Sequence, residues 1–205
     1  MLKLPVDLEA GVDEVGRGPL AGPVVAAAVI LPNEFDEDEH LVKQIKDSKK
    51  LSAKKRALVA EYIKSIAIDF HVAFIHNEEI DRLNIRNATS KAMHNAIDGL
   101  NIVPEKLLID GDFYYPRRAE DGTKEDYLTV EGGDNKYMSI AAASILAKEA
   151  RDEFVINTMV PSLGEGKDYG WDSNKCYGTK KHYQAIREHG ITKWHRLSFN
   201  LESGW

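Results

Sequence analysis

The sequence predicts an α/β protein in which helices flank a mixed β-sheet. Short β-branched runs alternate with helical patterns, a long alanine-rich helix follows the last of these runs, and no Pro/Gly/Ser-rich stretch divides the 205 residues. We therefore expect one domain over residues 1–205, in which residues 162–205 form a C-terminal helical extension.

The first two strands and the first helix are predicted by local composition. Residues 24–31 are apolar, rich in β-branched side chains and bounded by prolines, which indicates a buried strand behind the one that carries Asp13. Ser52 is a suitable N-cap for a helix that continues to about Ile66.

The middle of the chain predicts a strand, a divided helix and a short buried strand. Residues 67–75 alternate in polarity, as in a half-buried strand. Residues 78–100 have a helical period that is divided near Asn84, and residues 106–110 form an apolar run that ends in an acid.

Two further elements complete the prediction. Residues 127–130 suggest a strand before a Gly-Gly-Asp turn, and residues 138–158 predict the alanine-rich helix. Because alanine side chains are small, this helix can pack closely on the sheet.

Charge is segregated along the chain although the net charge is −6. Residues 43–56 contain seven Lys or Arg against one acid, and residues 174–196 contain six against one acid. Two such basic faces can bind a polyanion, but they are also compatible with ordinary solvated helix faces.

Composition excludes several classes of protein. No window approaches the length of a membrane span, and no apolar segment near the N-terminus resembles an export signal. The single cysteine, Cys176, excludes an internal disulfide and a cysteine-rich zinc site. We expect a cytoplasmic protein without a membrane partner.

Four acids lie where strands end or a helix begins: Asp13, Glu14, Asp110 and Asp134. Carboxylates in such places are ligands for Mg²⁺ or Mn²⁺, and two such ions can activate water for phosphodiester hydrolysis. Adjacent strand residues point to opposite faces, so Asp13 and Glu14 reach one metal only if the strand ends or bulges there. The alternative is that these acids are solvated caps.

The glycine-rich turn after the first strand is a candidate ligand-binding loop. Gly16 and Gly18 permit close backbone approach, and Arg17 offers a forked donor for phosphate or sugar oxygens. The spacing superficially fits a dinucleotide-binding fingerprint, but Pro19 and Pro23 oppose the helix that this fingerprint needs.

Other candidates are less specific. Lys49 and Lys50 either contact phosphate or lie in a solvated turn, and His195 with Arg196 is a further candidate phosphate contact. A final set shares one face of the alanine-rich helix, either lining the substrate side or forming an ion pair: Ser144, Lys148 and Asp152. Asp152 is a reserve fourth metal ligand in place of Asp134.

Six blocks occur in order along the chain: DEVGRGPLAGPVVAAAVIL at 13–31, DSKKLS at 47–52, LNIRNATSKAM at 83–93, LLIDG at 107–111, GGDNKYMSIAAASILAKEARD at 132–152 and CYGTKKHYQAIREHGITKWHRLSF at 176–199. Together they resemble the ribonuclease HII family. The resemblance implies a ribonuclease H-like fold with a substrate-binding C-terminal extension. It also implies an endonuclease that cuts RNA/DNA hybrids and duplex DNA 5′ to embedded ribonucleotides, in ribonucleotide removal and RNA primer processing.

The resemblance also implies roles for particular residues. The metal-binding catalytic quartet is Asp13, Glu14, Asp110 and Asp134, with two Mg²⁺ or Mn²⁺ ions during catalysis. The Gly16-Arg17-Gly18 turn senses the 2′-hydroxyl of the ribonucleotide, and Tyr177 stacks on the following sugar. Cys176 stands where the family usually has glycine, so a positive φ there would be strained.

Three alternatives remain at the level of sequence: a ribonuclease HIII-like hybrid nuclease, a non-catalytic nucleic-acid-binding module of the same fold, and a DNA nuclease or transposase of the wider ribonuclease H-like group. The HIII-like alternative is disfavoured by Arg17 and by a first strand that begins near residue 11. We expect a monomer, and residues 198–205 contain no glutamine-led clamp-binding motif.

Overall fold

A computed structural model describes residues 8–33, 40–45, 51–117, 122 and 124–202. The strands are β1 (Glu9–Val15), β2 (Val24–Ile30), β3 (Asp69–Ile75), β4 (Lys106–Asp110) and β5 (Tyr127–Val130). The helices are α1 (His40–Ile45), α2 (Ala53–Ile66), α3 (Asn77–Leu83), α4 (Ile85–Asp98), α5 (Met138–Phe154), α6 (Trp171–Asn174) and α7 (Lys180–His189).

The five strands form one mixed sheet in the order β3-β2-β1-β4-β5. β1, β2 and β3 pair antiparallel, whereas β4 and β5 run parallel to β1. The carboxyl ends of β1, β4 and β5 therefore meet at one edge of the sheet. This topology confirms the predicted mixed sheet and places the candidate acids at that edge.

Helices cover both faces of the sheet. Alternate residues of β2 enter two different cores, with Ala26 facing the side covered by α4 and Ala27 facing the side covered by α2 and α5. The packing of α5 is especially close, because a Cβ atom added to Gly11 on β1 would lie 2.1 Å from the carbonyl carbon of Ser139. Only glycine permits this approach.

Most predicted elements are confirmed, with differences at their boundaries. Asn84 divides α3 from α4 with a φ of 66°, and its side chain accepts a hydrogen bond from the Asn87 backbone. β3 begins at Asp69 rather than at residue 67, because Ala67 still donates to Ile63 as the C-cap of α2. Helix α1 was not predicted, and α5 continues into a π-helical turn at Val155–Met159.

The C-terminal segment docks onto the loop that joins β1 to β2. Leu20 donates a backbone hydrogen bond to Cys176, Arg196 donates to Leu20, and Gly22 donates to Trp194, all at 2.9 Å. Loop and C-terminal segment are thereby joined along their backbones. In the part of the chain that the structure describes, no helix combines the length and apolarity needed to cross a membrane.

Candidate active site

Two of the candidate acids lie side by side at the carboxyl ends of parallel strands. Gly11 of β1 pairs with Leu108 of β4, so the same register two residues later places Asp13 beside Asp110. Both side chains therefore share the face of the sheet on which α5 packs.

The turn after β5 brings the fourth candidate acid to the same edge. The backbone N–H of Gly133 donates to Oδ1 of Asp110 at 2.7 Å, which ties this turn to the end of β4. Asp134 follows at once and is buried, and its Oδ1 accepts a hydrogen bond from the Asn135 amide at 2.8 Å.

Burial and mutual repulsion shape the electrostatics of this edge. Burial raises the pKa of Asp13 well above its usual value, the charges of Glu14 and Asp110 raise it further, and a hydrogen bond with Ser144 opposes the shift. Burial also raises the pKa of Glu14, against the lowering effect of Arg17, whose guanidinium lies 3.2 Å away. Three neighbouring carboxylates thus carry incompletely compensated negative charge.

Asp13 and Glu14 are neighbours near the end of β1, and Glu14 lines two pockets at this edge, one of which is also lined by Ser144 and Lys148 of α5. Asp13 reaches Ser144 on α5, whereas Glu14 lines a cleft of about 410 Å³ that it shares with Arg17, Asp110 and Gly111. Among the described residues, no three His, Cys, Asp or Glu side chains stand in an arrangement that could hold a metal ion. The acids share one edge of the sheet without forming a closed ligand cluster.

The glycine-rich turn lies directly against the predicted tyrosine. Gly16 has a φ of 88°, and a Cβ atom there would lie 2.3 Å from Nε of Arg151, so this position requires glycine on both grounds. A Cβ atom on Gly18 would lie 3.5 Å from Cε1 of Tyr177. Tyr177, which is 42% exposed as a residue, therefore forms one side of the same surface.

Arg196 holds this turn from beneath. Its fully buried guanidinium donates to the carbonyl oxygens of Gly16 at 2.6 Å, Arg17 at 3.0 Å and Gly22 at 2.9 Å. The prediction that His195 and Arg196 contact phosphate is wrong, because both side chains are buried. The basic surface of residues 174–196 is correspondingly smaller than its composition suggests.

Arg151 is a second buried arginine that binds backbone carbonyl oxygens, and the sequence analysis did not predict this role. Its guanidinium donates to the carbonyl oxygens of Pro23 at 3.0 Å, Lys175 at 3.0 Å and Ala21 at 3.3 Å. The burial of Arg151 could have been predicted from its position in the helix, because it lies four residues after Ala147 and so on the same buried face. A charged residue that continues an apolar helix face indicates a buried hydrogen-bonding role.

Cys176 has a φ of 69°, so this position does hold a non-glycine residue in the left-handed region, the condition under which strain was expected. Its N–H donates to Oδ1 of Asn174 at 2.8 Å, and its carbonyl oxygen accepts from Leu20. Burial raises the pKa of the Cys176 thiol to about 12, so the side chain is an unreactive packing group.

The predicted helix face is confirmed as an ion-pair surface beside the acids. Nζ of Lys148 lies 2.7 Å from Asp152, and Nη2 of Arg56 lies 2.9 Å from the other oxygen of that carboxylate. Both oxygens of Asp152 are thus paired with cations, which disfavours Asp152 as the fourth metal ligand. Ser144 and Lys148 line a second pocket of about 240 Å³ that also contacts Glu14.

Two predicted phosphate contacts, Lys49 and Lys50, lie outside the described residues. In contrast, sequence reasoning did not single out Arg86 and Phe113, which line the 410 Å³ cleft together. The Arg86 guanidinium carbon lies 3.9 Å from the centre of the Phe113 ring. A contact between residues this far apart in sequence leaves no local pattern.

Comparison with known proteins decides the family. A family model described as Ribonuclease HII matches residues 10–202. A relative from Phocaeicola vulgatus, named Ribonuclease HII, is 47% identical over 194 residues, which cover 95% of this chain and 90% of the relative. The chain belongs to the ribonuclease HII family. It is thus a ribonuclease H enzyme of a family that acts on RNA/DNA hybrids and depends on divalent metal ions.

Solved structures agree with this family and with the fold. The structure of the PCNA:RNase HII complex from Archaeoglobus fulgidus matches with a TM-score of 0.74 and 28% identity, over 97% of this chain and 98% of that chain. The crystal structure of Bst-RNase HIII in complex with Mn²⁺ matches with a TM-score of 0.65 and 20% identity, which shows the fold alone. The match covers 98% of this chain but 69% of the HIII chain.

Proposed function

We propose that this ribonuclease HII family member cuts the RNA strand of RNA/DNA hybrids and also cuts duplex DNA on the 5′ side of single embedded ribonucleotides. The observation that carries the proposal is the contact between the Gly16-Arg17-Gly18 turn and Tyr177 beside three carboxylates. A 2′-hydroxyl is both donor and acceptor, so backbone groups of a fixed turn can recognise it. An exposed aromatic ring next to that turn can stack on the adjacent sugar.

We further propose that Asp13, Glu14, Asp110 and Asp134 hold two Mg²⁺ or Mn²⁺ ions during catalysis. The residues fit such ions because they offer hard oxygen donors, and a cation would relieve the repulsion that raises the pKa of Asp13 and Glu14. When bound, these ions would activate a water and stabilise the leaving oxygen, giving 3′-hydroxyl and 5′-phosphate ends.

The remaining residues bind and orient the substrate. Ser144 orients the Asp13 carboxylate, and Arg17 restrains Glu14 while its exposed guanidinium stays available to the nucleic acid. Lys148 lines the pocket that Ser144 and Glu14 also line, and it contributes positive charge near the phosphate backbone of the bound nucleic acid. Lys49 and Lys50 complete the proposed phosphate contacts.

The C-terminal extension, residues 162–205, has a binding role in this proposal because it supplies Tyr177 and holds the glycine-rich turn. The protein would act as a cytoplasmic monomer in ribonucleotide removal and RNA primer processing. The match of the Ribonuclease HII family model to residues 10–202 favours the HII activity over the HIII-like alternative.

The test is cleavage of a labelled DNA duplex that contains one ribonucleotide, with Mg²⁺ or Mn²⁺, beside a long RNA/DNA hybrid and an all-DNA duplex. We expect cuts in the hybrid and a single cut 5′ to the lone ribonucleotide. Cleavage of the long hybrid alone would support the HIII-like activity. Binding without cleavage under either metal would instead support a non-catalytic module.

A further inference from the structure

A buried cluster of three rings lies beneath Tyr177 and outside the acidic cleft. His182, His195 and Trp171 are each at most 1% exposed. Nε1 of Trp171 lies 3.0 Å from Nε2 of His182, and Nε2 of His195 lies 3.1 Å from that same nitrogen. On its other side, Nδ1 of His182 lies 3.0 Å from the carbonyl oxygen of Tyr177.

The partners fix the protonation of both imidazoles. Indole Nε1 can only donate, so Nε2 of His182 is an acceptor and its ring proton lies on Nδ1, directed at the Tyr177 carbonyl. The backbone N–H of Thr192 donates to Nδ1 of His195 at 2.9 Å, so the His195 proton lies on Nε2 and points at His182. Each histidine is therefore neutral and has one defined tautomer.

The turn that carries Tyr177 needs such support. Lys175 and Cys176 both have left-handed backbone conformations, with φ of 49° and 69°, which cost non-glycine residues about 1–2 kcal/mol each. On the N-terminal side, Asn174 and Leu20 hold this turn through backbone hydrogen bonds. On its C-terminal side, the Tyr177 carbonyl oxygen accepts two hydrogen bonds, from the Thr179 backbone N–H at 2.8 Å and from Nδ1–H of His182 at 3.0 Å.

We propose that His182, held in its Nδ1–H tautomer by Trp171 and His195, is a positioning residue that sets the place of Tyr177 against the Gly16-Arg17-Gly18 turn. The proposal rests on the proposed stacking of Tyr177 on the sugar that follows the ribonucleotide. His182 touches no part of the acidic edge through the contacts described above. Its effect therefore falls on substrate selection rather than on hydrolysis.

Two substitutions separate the functions of the ring nitrogens. In His182→Asn the amide NH₂ takes the place of Nδ1–H, so the donor to Tyr177 is kept and the acceptor for Trp171 is lost. In His182→Gln the amide oxygen takes the place of Nε2, so the acceptor is kept and the donor is lost. His182→Asn removes the acceptor that Trp171 and His195 share, whereas His182→Gln keeps it, so a lower substrate preference in His182→Gln alone would not be explained by damage to the buried cluster.

The readout is the ratio of kcat/KM on the single-ribonucleotide duplex to kcat/KM on the long hybrid. We expect His182→Gln to lower this ratio roughly three- to tenfold, the equivalent of one hydrogen bond, and His182→Asn to retain it. Equal ratios in the two variants, whether both normal or both reduced, would overturn the positioning role.

Tyr177→Ala, measured in parallel, separates this inference from the proposed function. If Tyr177→Ala lowers the ratio and His182→Gln does not, only the inference fails. If Tyr177→Ala leaves the ratio unchanged, the proposed role of the tyrosine fails and the inference with it.

A measurement on the unsubstituted protein covers the case in which a variant does not fold. Side-chain ¹⁵N NMR distinguishes protonated from unprotonated imidazole nitrogens. We expect Nδ1–H for His182 and Nε2–H for His195 near neutral pH. An Nε2–H tautomer of His182 would contradict the proposal without any substitution.

Discussion

The guanidinium group of Arg196 donates from Nη2 to the carbonyl oxygen of Gly16 at 2.6 Å, although 180 residues separate the two in sequence. The same side chain also holds the carbonyl oxygens of Arg17 and Gly22. Because carbonyl oxygens are directed inward to Arg196, the conformation of the glycine-rich turn depends on the C-terminal segment. The turn proposed to bind the 2′-hydroxyl and the C-terminal segment that carries Tyr177 are therefore structurally coupled.

Arg196→Lys should weaken this assembly. A single ammonium group cannot reach three carbonyl oxygens in different directions, so at least one buried acceptor loses its partner, at a cost of about 1–3 kcal/mol. We expect the free energy of unfolding to fall by that amount and the preference for the single-ribonucleotide duplex to fall with it. Denaturant titration and the two-substrate cleavage assay measure these effects.

The matched control for this substitution is Arg187→Lys, at an exposed position on α7. It should change neither stability nor substrate preference. If Arg187→Lys and Arg196→Lys had the same effect, the buried contacts to the turn would not be responsible.

Gly16→Ala should reduce cleavage activity more than the strain of a positive φ would by itself. The positive φ costs an alanine about 1–2 kcal/mol, and the added methyl group would also lie 2.3 Å from the Arg151 side chain. Gly166 is the matched control, since it has a φ of 73° and no heavy atom lies within 4 Å of the position that an added methyl group would take. We expect Gly166→Ala to retain cleavage while Gly16→Ala loses most of it; similar activities would contradict the clash with Arg151.

Asp110→Asn should nearly abolish metal-dependent cleavage and leave hybrid binding intact. The substitution removes one of the carboxylates at the acidic edge but none of the basic side chains proposed to contact the strand. Fluorescence anisotropy with a labelled hybrid measures binding in chelator, and gel-based cleavage measures activity. Asp126→Asn, at an exposed position, is the control; full activity of Asp110→Asn would exclude Asp110 from the metal-binding set.

The buried histidine pair should make stability fall in mild acid. Burial and the neighbouring His182 lower the pKa of His195 from the usual 6.5 to about 4. Between these values the unfolded chain binds a proton that the folded protein excludes. The stabilisation is thus present above pH 6.5 and is lost as the pH falls toward 4, by about 3 kcal/mol for this one group.

The measurement is the free energy of unfolding at pH 7 and at pH 4.5, compared between the unsubstituted protein and His195→Asn. We expect the loss on acidification to be smaller in the variant. The raised pKa values of Asp13 and Glu14 act in the opposite direction, but they are common to both proteins and cancel in the difference. His76→Asn, at an exposed position, should behave like the unsubstituted protein. If His195→Asn lost as much free energy of unfolding on acidification as the unsubstituted protein, the lowered pKa of His195 would not be the cause.

Local pattern was sufficient for most of the fold. The β-branched run of β2 and the division of the helix at Asn84 are confirmed, because strand burial and helix capping are properties of a few neighbouring residues. The prediction that His195 and Arg196 contact phosphate was wrong because their burial depends on residues distant in sequence. Composition cannot tell a cation on the surface from one that is buried beneath a loop.

The mixed α/β fold, the acids at strand ends and the family were all predictable from residue type and order along the chain. The position of Asp13 beside Asp110, and the hydrogen bonds by which Arg151 and Arg196 hold the glycine-rich turn, became visible in the folded protein. The hydrogen bond from His182 to the backbone carbonyl oxygen of Tyr177 was likewise found only in the structure. Strand register and buried hydrogen bonds join residues that are distant in sequence, so this geometry exists only once the sheet and the C-terminal segment have packed together.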